Sequence, residues 1–317
     1  MGTARAQDLP AGTAGRGGCL NVLVLGRRGQ LARELERACW PAGWQPQFAG
    51  RDRIDLAKPE QAGARVAGEY PGLVINAAAY TAVDQAESEP EIAMRINGQA
   101  PAAIARACAA LHAPLVTVST DYVFDGTKPV PYTEEDEVRP VSAYGRSKAE
   151  GEAGVRRANG CHLILRTSWV FSRFGANFVK TMLRLGAERD SLAVVADQRG
   201  KPTAASDLAQ AIILASSTLM ANRTVAGTYH VANEEATTWH DFAQEIFDGA
   251  KARGVRTAEL RAITTAEYPT PARRPANSEL ATDKFSRIFS YRFRSWREPL
   301  SEVLDELLPS SAASRAS

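Results

Sequence analysis

The chain has 317 residues, 44% hydrophobic and 23% charged, enough to bury a full core as one large domain or two unequal lobes. Its 38 Lys and Arg against 36 Asp and Glu leave a net charge of +2, and the arginines are scattered rather than gathered into a stripe, so no nucleic-acid groove is read. Cys19, Cys39, Cys108 and Cys161 form no CxxC pair, and His112, His162, His230 and His240 show no HExxH spacing, which points to reduced thiols and no metal. No apolar run approaches the ~18 residues of a membrane span, and residues 1–18 lack the apolar middle of a secretory signal, so a cytoplasmic protein is expected. Residues 1–18 read as a disordered tail and 310–317 as a flexible one.

Asn21–Leu25 is an apolar, β-branched run followed by Gly26-Arg27-Arg28-Gly29-Gln30-Leu31-Ala32 and a helical stretch to Cys39. A buried strand, a tight glycine turn and a helix start are what a pyrophosphate site requires. Gly26 permits the turn, Gly29 lets backbone approach the phosphates, and Ala32 stands where the dinucleotide fingerprint has its third small residue. A plain Gly-rich turn would carry the same two glycines.

Further strands are expected at Gln47–Ala49, Leu73–Asn76, Leu115–Ser119 and His162–Arg166, with helices over Gly29–Cys39, Pro59–Tyr70, Glu91–Leu111 and Ala143–Asn159. Strands alternating with helices imply an α/β fold with a doubly wound parallel sheet, whose ligands bind at the strands' carboxyl ends. Gly26, Arg51, Asn76, Thr120 and Trp169 all follow such ends. After Arg166 the rhythm changes to Phe174–Gly186, Leu192–Val195, Ser206–Met220, Thr228–Val231, Trp239–Arg253 and a last helix from Pro299, with an ordered loop at Pro269–Pro275. Residues 19–170, joined by 204–232, are read as a dinucleotide-binding domain; 171–203 and 233–309 form a smaller C-terminal substrate-binding lobe.

Tyr144 and Lys148 stand four apart, hence on one helix face, about twenty residues after the strand ending at Thr120. A tyrosine with pKa of about 10 is a poor acid near neutrality, but a cation nearby lowers it. Thr120 would hydrogen-bond the same substrate oxygen, making one acid–base site.

Taken together, these residues resemble the dTDP-4-dehydrorhamnose reductase family of the extended short-chain dehydrogenase/reductase superfamily, from about Asn21 to Leu308. The resemblance rests on Gly26–Leu31, Asn76–Asp84, Ser119–Gly126, Tyr144–Lys148, Arg166–Phe171, Asp197–Thr203 and Arg273–Ser278. It implies a Rossmann-type fold and reduction of the 4-keto group of dTDP-4-dehydro-L-rhamnose. Tyr144 would be the proton donor, Lys148 would hold the nicotinamide ribose and lower the Tyr144 pKa, and Thr120 and Asp121 would bind substrate. By the same resemblance Gly26, Gly29, Gln30, Leu31, Arg51, Asp55, Leu56, Ala77, Ala78, Ala79 and Thr81 face the cofactor, and Trp169, Gln198 and Arg273 the nucleotide sugar. Lys201 and Arg274 are further candidates. Each has a duller rival: Asp55 could cap a helix, Trp169 could be a core aromatic, and charged loop residues are usually solvated.

Gly50-Arg51-Asp52 offers both the acidic residue that favours NADH and the arginine that accommodates NADPH. Arg27 and Arg28 add positive charge and tip the expectation toward NADPH, with NADH possible. Tyr122 stands where related dehydratases need a second acid after Thr120-Asp121, which leaves a reductase preferred. The alternatives are a reductase or epimerase of another nucleotide sugar, or a dinucleotide-binding regulatory subunit. A monomer or homodimer is expected.

Overall fold

The computed structural model describes residues 19–308; the expectations for residues 1–18 and 310–317 lie outside the described residues. Strands β1 (Leu20–Leu25), β2 (Trp44–Ala49), β3 (Leu73–Asn76), β4 (Leu115–Thr120) and β5 (His162–Thr167) join the later strand Gly227–His230 in one sheet. Every pairing is parallel, in the order 227–230, β5, β4, β3, β1, β2.

In β1 each side chain from Val22 to Leu25 is buried, and alternate residues serve opposite faces. Val22 and Val24 pack with Leu31 and Leu35 of α1 (Gln30–Arg37) and with Leu208, Ile212 and Leu219 of the helix Ala205–Ala221. Leu23 and Leu25 pack with Ala62 and Val66 of α2 (Pro59–Gly68) and with Ile104 and Cys108 of the helix Ala100–Ala110. A strand covered on both faces has no polar side to show, hence the continuous apolar run. Pro46 falls on edge strand β2, where its missing N–H is tolerated. The chain steps outward from β1 to β2, then returns to place β3 on β1's other side. This reversal opens a crevice at the carboxyl ends of β1 and β3.

Glu91–Leu111, expected as one helix, is three pieces: Pro90–Ala93, a wide π turn at Met94–Gln99, and Ala100–Ala110. Pro101 cannot donate to the Asn97 carbonyl, so the regular ladder is interrupted there. The strand Glu259–Ile263, which pairs with Ser191–Val195, and the short helix Asp283–Phe289 give almost no sequence signal. Only Ile263 is buried in the first, and the second has seven residues.

A separate core forms around Phe171, Phe242, Ile246, Phe247, Trp296 and Leu304, where the helices Phe178–Glu188, Trp239–Ala252 and Arg297–Leu307 meet. Among the described residues no helix is long and apolar enough to cross a membrane.

The helix Ala143–Ala158 is tied to the sheet by a buried ion pair. Arg166 on β5 donates through Nε (2.9 Å) and Nη2 (2.7 Å) to the two Glu152 oxygens, and both residues are almost inaccessible. His230 lies 3.4 Å from Arg166, and burial plus that guanidinium hold its pKa down to about 3, so it is neutral. Arg166→Ala would strand a buried carboxylate and should cost about 3–5 kcal/mol in urea unfolding. A loss under about 1 kcal/mol, the scale of an exposed pair, would exclude this pair as the tie.

Candidate active site

The crevice between β1 and β3 begins at Gly26, whose φ of +121° is disfavoured for any side chain. A Cβ there would stand 3.4 Å from the Ala32 Cβ and 3.5 Å from the Ala77 backbone, so the turn, α1 and the loop after β3 are packed as closely as the fingerprint predicts. Gly29 is the N-cap of α1, with no side chain capping the helix and open space around its Cα. The free N–H groups of this helix start can receive a phosphate, so the residues present fit a dinucleotide. Beside them lies an open cleft of about 1260 Å³ lined by Gly26, Arg51, Asp55, Leu56, Ala78 and Ala79. Arg27, Arg28, Arg33 and Asp52 line it too.

Other expected cofactor residues stand differently. Leu31 is buried beneath the turn, Ala77 donates to the Leu25 carbonyl at 3.0 Å, and Thr81 is exposed. The Gln30 side chain points toward the later lobe: its Oε1 accepts from Asn177 Nδ2 at 2.9 Å. Asp55 caps locally, accepting the Ala57 N–H at 3.0 Å, while pairing with the exposed Arg51 at 3.3 Å.

At the end of β4, Thr120 donates to Asp121 Oδ1 at 2.9 Å and accepts the Tyr122 N–H at 3.2 Å. Tyr144 enters from the helix Ala143–Ala158, whose N-cap Ser142 accepts the Gly145 N–H, and its hydroxyl lies beside Thr120. Tyr122 packs edge-on against the Tyr144 ring, centroids 5.6 Å apart. One turn along, Lys148 donates to the Val118 carbonyl at 2.7 Å. Thr120, Asp121, Tyr144 and Lys148 are thus gathered around one strand end, all buried.

Burial sets their protonation. It pushes the Tyr144 phenol up to about 12; the Thr120 hydroxyl pulls the other way and the Asp121 charge adds to the rise. The expected lowering by Lys148 is not what sets this phenol. Burial brings Lys148 down to about 8, opposed by the Glu152 carboxylate. Asp121 is pushed up to about 6 by burial, and its Oδ2 has no hydrogen-bond partner among the described residues.

Sequence reasoning missed Asn97, which the π turn directs inward. Its Oδ1 accepts the Tyr80 N–H at 2.8 Å, and its Nδ2 donates to the Tyr80 carbonyl at 2.9 Å and to Ser147 Oγ at 3.0 Å. Also missed was the Arg274–Asp84 pair at 2.7 Å, which fastens the Pro269–Pro275 loop over the residues following β3. Arg273 beside it is exposed, and the buried Gln198 donates to Thr265 Oγ1 at 3.1 Å. Nothing in residue spacing signals these long-range pairs.

Residues 20–308 match the family described as the RmlD substrate binding domain. A dTDP-4-dehydrorhamnose reductase of Sinorhizobium fredii is 43% identical over 291 residues, 91% of this chain and 98% of that protein. The chain belongs to the dTDP-4-dehydrorhamnose reductase family. A solved family member from Bacillus anthracis, in complex with NADP, is 35% identical with a TM-score of 0.83 over 91% of this chain and 99% of that one. A Streptomyces antibioticus protein named "Probable dTDP-4,6-dihydroxy-2-methyloxan-3-one 4-ketoreductase" is 38% identical over 288 residues, 90% of this chain and 95% of that protein. Placed on this family's fold, the buried Tyr144–Lys148 face is the feature with a measurable signature.

Unfolded, Lys148 titrates near its ordinary value of 10.5; folded, near 8. Between those values the unfolded chain holds a proton that the folded chain has released, so the lysine's contribution makes stability rise with pH. Relative to Lys148→Met, the native protein should therefore gain stability from pH 8 to pH 10 in urea unfolding of the cofactor-free protein. A difference that stays flat across that range would mean Lys148 titrates normally. Tyr144 acts at higher pH and is common to both proteins.

Proposed function

We propose that this chain reduces the 4-keto group of dTDP-4-dehydro-L-rhamnose to give dTDP-L-rhamnose, using NADPH. The observation that carries the reading is the convergence of Thr120, Tyr144 and Lys148 at the end of β4, beside the dinucleotide crevice of a chain from this reductase family. When bound, the cofactor supplies a hydride to the sugar carbonyl carbon. Tyr144 protonates the oxygen as negative charge develops on it, and Thr120 orients that oxygen by a hydrogen bond. Lys148, one helical turn from Tyr144 and anchored on the Val118 carbonyl, brings positive charge to the proton donor and a hydrogen-bond donor to the cofactor ribose. Glu152 favours its charged form. Gly26 and Gly29 let backbone reach the pyrophosphate, and Arg27, Arg28 and Arg51 line the part of the cleft suited to an extra phosphate. Asp121, Trp169, Gln198 and Arg273 are proposed on the nucleotide-sugar side.

The same group of residues would serve another dTDP-linked 4-keto sugar, a second reading favoured by the likeness to the Streptomyces antibioticus ketoreductase. NADPH oxidation followed by absorbance, with dTDP-4-dehydro-L-rhamnose generated in situ, separates the two. Rapid turnover to dTDP-L-rhamnose is expected; turnover only with a different 4-keto sugar would move the chain to the second reading.

Tyr144→Phe should leave NADPH affinity nearly intact and cut kcat by ~10²-fold or more, since only the proton donor is lost. Unchanged kcat would remove Tyr144 from the chemistry. Arg51→Ala should raise the KM for NADPH far more than for NADH; equal effects on both would show that Arg51 does not read the extra phosphate.

A further inference from the structure

Trp169 is held so that its surroundings decide which part of the ring can meet a ligand. It follows β5 at φ +47°, a left-handed conformation that a bulky residue keeps only where its neighbours enforce it. One indole face lies on Trp239, with ring centroids 3.6 Å apart and planes 9° from parallel. Trp239 is in turn backed by Phe178, centroids 4.7 Å apart. The other face lies on Gly200: a Cβ built there would stand 2.6 Å from Trp169 Cε2 and 2.8 Å from Cζ2. Cε2 is a ring-fusion carbon, bonded in-plane to three heavy atoms, and can be the nearest atom only when approached through the face. Glycine is therefore required at 200, and neither face of Trp169 is left for a sugar or a base.

The indole edge remains. Trp169 is half-buried, and its Nε1 makes no hydrogen bond among the described residues. The same built Cβ at Gly200 meets Ser278 Oγ at 2.8 Å, and Ser278 stands beside Asp121. The clamped edge is thus a short step from the proposed proton donor.

We propose that Trp239 and Gly200 are positioning residues, clamping Trp169 between them so that its N–H edge, and neither face, meets an acceptor oxygen of the sugar. The ligand in this statement rests on the nucleotide-sugar reading above; the clamp does not. Two indoles stacked this closely couple in circular dichroism, which tests the clamp with no ligand present. Beyond the contribution of the Trp40–Trp44 pair, 6.2 Å apart, the coupled band should be present in the native full-length protein, absent in Trp239→Leu and displaced in Gly200→Ala. An unchanged band in Gly200→Ala overturns the clamp.

Steady-state kinetics test the edge. Trp169→Phe keeps a ring to be clamped but removes the N–H, and should raise the KM for the keto sugar by about tenfold, the scale of one lost hydrogen bond. Trp239→Leu should match it and Trp239→Phe should recover most of the loss, with the KM for NADPH unchanged in all three. Calorimetric affinity for dTDP alone should also be unchanged, while that for dTDP-L-rhamnose falls. A Trp169→Phe variant with native KM overturns the edge-on contact, because a ring that binds by stacking would survive that change. If the native protein binds dTDP but turns over no 4-keto sugar, the functional reading fails while the dichroism result for the clamp still stands.

Discussion

Everything at this site depends on keeping a lysine buried beside a tyrosine, the proposed proton donor. Tyr144, Lys148 and Glu152 follow one another at four-residue steps along one face of the helix Ala143–Ala158, and all three are enclosed. An isolated ammonium there would simply lose its proton, and desolvation does drag Lys148 downward. Glu152 opposes that loss. A buried carboxylate is itself costly, and Arg166 offsets its charge through two short hydrogen bonds, with Arg156 adding a third from the rim. His230, the next group outward, stays neutral and so adds no cation to the chain. The charge of one lysine thus accounts for a network running through a helix and two strands.

This network is not what makes Tyr144 a poor acid. Burial raises the phenol, and the opposing contribution comes from Thr120 rather than from Lys148, one of whose three donors is held by the Val118 carbonyl. A bound cofactor and sugar would exclude water further and strengthen each charge already fixed around the phenol. In the proposed reaction, preorganisation means that the dipoles and the ammonium are set in place before the sugar's oxygen develops charge.

What could be read from sequence was the part that local periodicity encodes. The β1 run, the two glycines of the turn and the i, i+4 relation of Tyr144 to Lys148 are all set within a few residues, and each stands where spacing put it. Asn97, the Asp84–Arg274 pair and the Trp169–Trp239 stack join positions 17 to 190 residues apart, and nothing in either local segment announces its partner. The strand Glu259–Ile263 was missed because a two-stranded ribbon with one buried residue has no hydrophobic alternation to display. The Glu91–Leu111 helix was read too simply because helical periodicity cannot show where Pro101 opens a wide turn.

Ser172–Gly175 is where the chain beyond β5 packs onto α1. The buried Glu34 of α1 accepts from Ser172 Oγ at 2.6 Å, and Arg33 on the same helix lies 3.8 Å over the Phe174 ring. Gln30, in the first turn of α1, meets Asn177, which caps the lobe helix Phe178–Glu188 by accepting the Lys180 N–H at 3.1 Å. The helix whose N-terminus faces the proposed pyrophosphate site is therefore the helix that meets the start of Phe178–Glu188. Phe178, the first residue of that helix, backs Trp239 with ring centroids 4.7 Å apart. A continuous run of packed side chains thus joins the glycine turn to the indole pair.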